Sequence, residues 1–395
     1  MSKLAVLRRA DWLDGTRAFA WAAILALLLA VSAGFIAHGR DMARAADPAN
    51  LRVTTDFVAF YAAGELTLRG TPALAYDSAA TAAAQGALAR LEGGFLGFYY
   101  PPVMLLLCAG LALLPFGVAW LVWGLGGYLP LALALRRLLP QRWAWLPLLS
   151  APAALITLAN GQSGFLAAAS LAWCAVLLER RPFLAGLCLS GLILKPQMAL
   201  AAPLGLLAAR RWSALAGFAV AGAALAAGSA AVFGLPTWLA FLRNAAVAEH
   251  AMTQFAPHWH KLLSVVTGLR LLGAPLAVAY PAQIAASLAV LAVVAWLARG
   301  RPGGMAEMAV AAAATPLIAP HVLDYDLPVL LLPMAWITAR AQATGWRDWE
   351  KLTLLVLYAL PLFARLLTFG ASIPVGPPAF AAGLYLCARR ARIQA

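Results

Sequence analysis

Charge is what this chain has least of. Only 11% of its 395 residues are Asp, Glu, Lys or Arg, with just 15 acidic residues, while 64% are hydrophobic. No soluble domain of this length needs so much apolar surface, so the soluble classes are excluded. Cysteine is also scarce. Cys108, Cys174, Cys188 and Cys387 fall inside apolar runs with no metal or redox spacing, and read as small buried hydrophobes. Internal repeats of fixed period are missing, as are low-complexity tracts beyond Ala and Leu richness.

The charge that is present is one-sided. A formal net charge of +14 would suit a nucleic-acid partner, but the Lys and Arg residues come as short clusters between apolar spans. That is the pattern of topology signals, and no nucleic acid is expected. What remains is an all-α polytopic membrane protein, integral to the cell (inner) membrane.

Lys3, Arg8, Arg9 and Arg17 place the N-terminus in the cytoplasm. A first span is expected at 18–38. Ala43-Arg44-Ala45 could pass for a cleavage site, but the apolar run before it exceeds a signal peptide's core, so it reads as a retained anchor. Residues 39–100 then form a first outside loop. It holds a helix around Asp56, a turn at Gly70-Thr71-Pro72, and a second helix from Ser78 to Leu91 capped by Asp77. The first of these reads as short and amphipathic, with Phe57, Phe60, Tyr61, Gly64 and Leu68 on one face and Glu65 and Arg69 off it. Thr54 or Thr55 would cap it, which puts Asp56 in a first turn that favours an ionised carboxylate.

Parity sorts the rest. Arg136, Arg137, Arg142, Arg180, Arg181, Arg210, Arg211, Arg299 and Arg301 all belong in the cytoplasm. One crossing is therefore allowed between Tyr100 and Arg136, and 117–135 supplies it. Residues 101–115 become a re-entrant or surface-lying helix. Spans follow at 144–159, 164–178, 183–194, 197–209 and 213–233, two of them short because Lys195-Pro196 interrupts the apolar run. A second outside loop at 234–261 carries an amphipathic helix from Pro236 with Trp238, Phe241, Leu242 and Ala245 on one face. Spans at 275–298, 305–319, 327–339, 352–370 and 374–388 return Arg389, Arg390 and Arg392 to the cytoplasm. The total is about twelve transmembrane helices in one domain over 1–395.

In this topology the awkwardly placed polar residues gather at the outer face. Asp56 lies in the first outside loop, and Asn160-Gly161-Gln162 and Lys195-Pro196-Gln197 are outer helix ends. His250, His258, His260 and Lys261 sit in the second loop. His321 to Asp326 form an outer turn, and Arg365 is near the outer end of its span. Ionisable groups at membrane depth are costly and usually mark function. A plainer role stands beside each. Asp56, Asn160 and Gln162 could cap helices, Lys195 and Arg365 could snorkel, and the second-loop histidines could be surface groups. Asp324-Tyr325-Asp326 has the form of a D-x-D metal motif, but three residues carry little and nucleotide sugars are absent outside the cytoplasm. No metal and no cofactor are expected.

Taken together, Asp56-Phe57 with Tyr61 and Gly64, Gly70 followed by Leu74-Ala75-Tyr76-Asp77, Tyr100-Pro101-Pro102, Gly161-Gln162, Lys195-Pro196-Gln197 and the His321–Asp326 turn resemble glycosyltransferase family 87 over roughly 15–335. The resemblance implies a GT-C-like bundle with extracytoplasmic loops, related to polyprenyl-phosphate-mannose-dependent mannosyltransferases. It implies a lipid monophosphate sugar donor, a glycan or glycolipid acceptor, inversion at the anomeric carbon, and an acidic base in the first outside loop. Asp56 matches that base. Lys195, His321 and Arg365 would hold the donor phosphate. Tyr61, Tyr100, Asn160, Gln162, Gln197, Asp324 and Asp326 would contact substrate. The chemistry fits, because a phosphate leaves without a general acid and one carboxylate can then suffice. The competing class is a transporter or flippase for a lipid-linked sugar, which calls for ionisable groups at mid-depth and paired broken helices in two related halves. Neither pattern is evident.

Overall fold

The computed structural model describes residues 3–18, 20–28, 31, 55–88, 96–254 and 261–392. Thr54, Ala43-Arg44-Ala45, His258 and His260 lie outside these residues, as does much of the 18–38 span. Among the described residues every regular element is helical, and a lone bridge joins Leu262 to Leu323.

Among the described residues four helices are long and apolar enough to cross a membrane: α6 (Phe116–Leu138), α12 (Trp212–Phe233), α15 (Leu276–Arg299) and α18 (Glu350–Ala371, apolar to Thr368). A fifth candidate is bent by 48°, where Arg142–Leu149, which includes α7 (Trp145–Leu149), meets α8 (Pro152–Asn160). The break follows from Pro152. Proline disfavours helical backbone in the residue before it, and Ala151 is extended at ψ 119°. The same rule splits the chain at Lys195, whose φ of −142° precedes Pro196. Around it α10 (Pro182–Leu189) tapers into 3-10 turns at Ser190–Leu194 and Pro196–Met198 before α11 (Ala201–Ala208).

Other helices are shorter than a crossing. They include α1 (Lys3–Arg9), α2 (Gly15–Leu28), α5 (Val103–Ala112), α9 (Gly164–Leu177), α14 (Val265–Leu271), α16 (Gly304–Ile318), α17 (Leu331–Thr344) and α19 (Gly376–Ala391). The structure thus supports four or five candidate spans on length and composition, where the sequence pattern anticipates about twelve. Burial accounts for much of the difference. The 15 residues of α16 rise about 22 Å, and all but Met305 are buried. A helix wrapped by other helices has no lipid contact to satisfy, so it need not match the bilayer's thickness. α9 and α16 form the centre of the main core, while α12 and α15 expose Val220, Val232, Ile284 and Leu288 outward.

Two amphipathic expectations need correction. In α3 (Phe57–Leu68) every residue from Phe57 to Gly64 is buried, so the helix has no polar stripe in its first two turns. It is enclosed by α5, by α4 (Ser78–Leu88), by the 3-10 turn Pro72–Tyr76 and by α6. Leu68, assigned to the apolar face, is exposed instead. In α13 (Leu235–Gln254), Phe241 packs on Tyr76 and Trp238 on Phe241, but Leu242 and Ala245 face outward. Asp77 does cap α4, accepting from the Ala80 N–H at 2.8 Å. The four cysteines are unpaired and buried or half-buried.

Candidate functional site

Three interruptions of helix meet at one end of the bundle: the α8–α9 turn, the Lys195 break, and the 3-10 segment Asp324–Leu330. Glycines permit the approach. Gly161 closes α8 at φ +64°, and a Cβ there would fall 2.5 Å from the Cβ of Phe57. Gly164 lets α9 rest on the next element, since its Cβ would fall 2.0 Å from the Tyr325 carbonyl oxygen. That carbonyl also accepts from the Thr157 hydroxyl at 2.8 Å. The Asp324–Asp326 turn is therefore pinned to both α8 and α9.

Asp56 stands at the N-terminus of α3, and its side chain makes no capping bond to the backbone. Thr55 takes the nearer role, accepting from the Phe57 N–H at 3.4 Å. The carboxylate instead accepts from Gln162 Nε2 at 2.9 Å. Gln162 Oε1 accepts from the Tyr100 hydroxyl at 3.0 Å, and that oxygen accepts from Ser163 Oγ at 3.0 Å. The chain of donors runs one way, Ser163 to Tyr100 to Gln162 to Asp56. Its far end must be an acceptor, which an ionised carboxylate is. The aromatic wall of Phe57, Phe60, Phe98, Tyr100 and Trp123 packs behind it, and Trp123 Nε1 donates to the Gly161 carbonyl at 3.0 Å.

Beside this chain lie two buried ion pairs. Lys195 Nζ meets Asp326 Oδ1, and Lys195 is only 4% exposed. Asp326 Oδ2 also accepts from the Leu323 N–H at 3.1 Å. Arg365 Nε, from α18, meets Asp324 Oδ2, with Asp324 fully buried. Asp324 Oδ1 and Arg365 Nη2 are buried without a partner. Lys195 Nζ also lies 5.4 Å from the Tyr325 ring centroid and 5.9 Å from that of Tyr100. Tyr325 ties the halves together. Burial pushes its hydroxyl well above the ordinary value, and the charges of Asp56, Asp326 and Asp324 add to that rise. Burial opposes the charge on Lys195, but Asp326 and Tyr100 outweigh it and hold the ammonium above its ordinary value.

The charges do not cancel. Asp324 and Asp326 each neutralise one cation, and among the described residues no cation pairs with Asp56. The surplus is one carboxylate. Any anion reaching Lys195 or Arg365 would therefore share it with a buried aspartate. Nor do Asp324 and Asp326 face a common point, since each turns to its own cation. Among the described residues no three His, Cys, Asp or Glu side chains converge.

The structure thus gathers Asp56, Tyr100, Gln162, Lys195, Asp324, Asp326 and Arg365. His321 lies half-buried at the start of the same turn. Three further candidates have other engagements. Asn160 Nδ2 donates back to the Ile156 carbonyl of its own helix at 2.8 Å. The Tyr61 hydroxyl donates to the Leu114 carbonyl at 2.9 Å and locks α3 to the end of α5. Gln197 sits half-buried on the turn after Lys195, outside the hydrogen-bonded chain. Sequence reasoning passed over Ser163, Thr157 and Tyr325 as site members. Adjacency to Gln162 was a usable signal for Ser163. Nothing local marked Thr157, a hydroxyl inside an apolar span.

The model of glycosyltransferase family 87 matches residues 98–320, more than half of the chain. The matched stretch contains Tyr100, Gln162, Ser163 and Lys195, while Asp56, the Asp324–Asp326 turn and Arg365 join them only through the fold. No curated protein and no solved structure matches the chain.

Proposed function

The chain belongs to glycosyltransferase family 87, and is by that membership a membrane glycosyltransferase. From this premise we propose that it moves a sugar, mannose or another hexose, from a polyprenyl-phosphate donor to a hydroxyl of a glycan or glycolipid. Transfer takes place at the extracytoplasmic face, with inversion, within a GT-C-like arrangement of about twelve crossings. The observation that carries this reading is the unpaired carboxylate of Asp56, oriented by Gln162 beside two self-neutralised ion pairs.

The chemistry proceeds from those groups. Gln162 occupies one oxygen of Asp56 and leaves the other to accept the acceptor hydroxyl's proton. The proton moves late, as the bond to the anomeric carbon forms, so a carboxylate serves as base. The leaving phosphate takes its own electrons and needs no general acid. Lys195 and Arg365 stabilise it by loosening from Asp326 and Asp324 as its charge develops. A polyprenyl chain can stay in the bilayer while its sugar reaches this end of the bundle.

The test is to incubate purified protein with radiolabelled polyprenyl-phosphate hexoses and candidate glycan and glycolipid acceptors. Label should pass from a polyprenyl-phosphate sugar to the acceptor. Transfer only from a nucleotide sugar would overturn the donor assignment.

A further inference from the structure

The opposite end of the bundle carries a second concentration of charge that sugar transfer does not use. Residues 345–349 join α17 to α18 and draw three segments together. The Trp349 N–H donates to the Arg8 carbonyl at 2.7 Å, and Arg8 Nε lies 3.3 Å from Asp348 Oδ2. Lys351 Nζ donates to the Ala10 carbonyl at 3.4 Å. From α19, Arg389 Nη2 donates to the Asp348 carbonyl at 2.9 Å. Arg390 grips the buried Glu350 through Nε at 2.6 Å and Nη2 at 2.5 Å.

The knot has five cations, Arg8, Arg347, Lys351, Arg389 and Arg390, against two carboxylates, Asp348 and Glu350. Glu350 is consumed by Arg390 and Arg389. Arg347 Nη1 and Arg389 Nε are left buried as donors without an acceptor. Burial and the Arg390 charge, then Arg389 and Arg340, hold the Arg347 guanidinium below its ordinary value, although Glu350 pulls the other way. Like charges are thus forced together with donors unused. A topology signal requires only charge near a helix end, not convergence of this kind.

The surroundings identify the missing acceptor. Glu350 begins a candidate membrane span, so the knot lies where headgroups would. Trp346 is 41% exposed and Tyr385 62%, and each ring accompanies a cation of the knot, Lys351 and Arg389, at 5.9 Å. Amphipathic aromatic rings settle at that level of a bilayer. Trp349 holds φ +71°, a left-handed conformation that bulky side chains rarely adopt. Similar pairs, Arg392 with Trp296 at 4.8 Å and Arg136 with Trp145 at 4.9 Å, lie near the same ends of α15 and α6.

We propose that the α17–α18 turn, with the last turn of α19, binds the headgroup of an anionic phospholipid through Arg347 and Arg389. Its phosphate approaches the part-exposed sides of the Arg347 and Arg389 guanidinium groups, and its negative charge relieves their crowding. The proposal is independent of the sugar-transfer reading.

The experiment is native mass spectrometry of the full chain released from micelles doped with phosphatidylglycerol or phosphatidylcholine. The wild-type protein should retain phosphatidylglycerol at concentrations where phosphatidylcholine is lost. Arg347→Gln, which removes a side chain that forms no ion pair among the described residues, should weaken that retention about tenfold, and Arg347→Lys only slightly. A parallel thermal-unfolding series with inorganic phosphate separates lipid from free anion. It should leave the midpoint unchanged where phosphatidylglycerol raises it. Equal retention of the two lipids, unchanged retention by Arg347→Gln, or a full shift with phosphate alone would each overturn the assignment.

Discussion

Lys195 and Asp326 bury opposite charges against each other, and the consequences of removing one or both differ in kind. Lys195→Met strands Asp326 as an unpaired buried carboxylate, a loss of about 3–5 kcal/mol. Lys195→Met/Asp326→Leu removes both charges and should recover most of the folded yield, read by thermal unfolding in detergent. The recovered protein should still bind donor weakly. Full donor affinity in the double variant would remove Lys195 from the phosphate site. Divalent metal gives a second residue-scale test. Asp324 and Asp326 are each committed to a cation, so EDTA should leave turnover largely intact. Abolition by EDTA with rescue by manganese would show that the carboxylates leave those cations for an ion. Asp56, Gln162 and Lys195 were legible in the sequence because polar residues between apolar spans are rare. Their pairing was not, because the aspartate partners lie 131 and 41 positions from Lys195 and Arg365.

At the scale of elements, proline placed the breaks and glycine placed the contacts. Pro152 and Pro196 mark where helix stops; the Lys195-Pro196 break was readable as an interruption of an apolar run, whereas 144–159 read as one unbroken span. Gly164 was not readable in this way, because its role is set by the Tyr325 carbonyl across the site. Gly164→Ala must push α9 away from the Asp324–Asp326 turn. We expect a loss of about 1–3 kcal/mol in thermal unfolding and a drop in turnover larger than stability alone explains. Unchanged melting would mean the two elements are not in that contact. The amphipathic reading of α3 failed for a related reason. Helical periodicity reports one covered face, and α3 is covered on several by elements from 72–88, 103–112 and 116–138.

At the scale of the whole molecule, the buried ion pairs among the described residues gather in two groups. One holds Lys195 and Arg365, beside Asp56. The other holds Arg390 with Glu350, and Arg211 with Glu179 at 2.7 Å and Glu307 at 2.8 Å. The arginine clusters made the ends of the helices legible. They did not show that Glu307 and Glu350 are buried counter-charges, since periodicity treats a lone glutamate in an apolar run as noise. Labelling should follow this division. In a background whose native cysteines are replaced, Leu272→Cys should react with an impermeant maleimide in intact cells, and Arg180→Cys only after permeabilisation. Outside reaction at position 180 would invert the topology. In the proposed function the bundle holds the Asp56 carboxylate over a lipid-linked sugar. The most direct test is single-turnover transfer by Asp56→Asn, with donor binding measured on the same sample. Glu65→Gln, which alters an exposed pair with Arg69 at 3.4 Å, serves as the control and should be mild. Asp56→Asn should bind donor normally and lose about a hundredfold or more in rate. Retention of more than about a tenth of the wild-type rate would contradict the role of Asp56 as base.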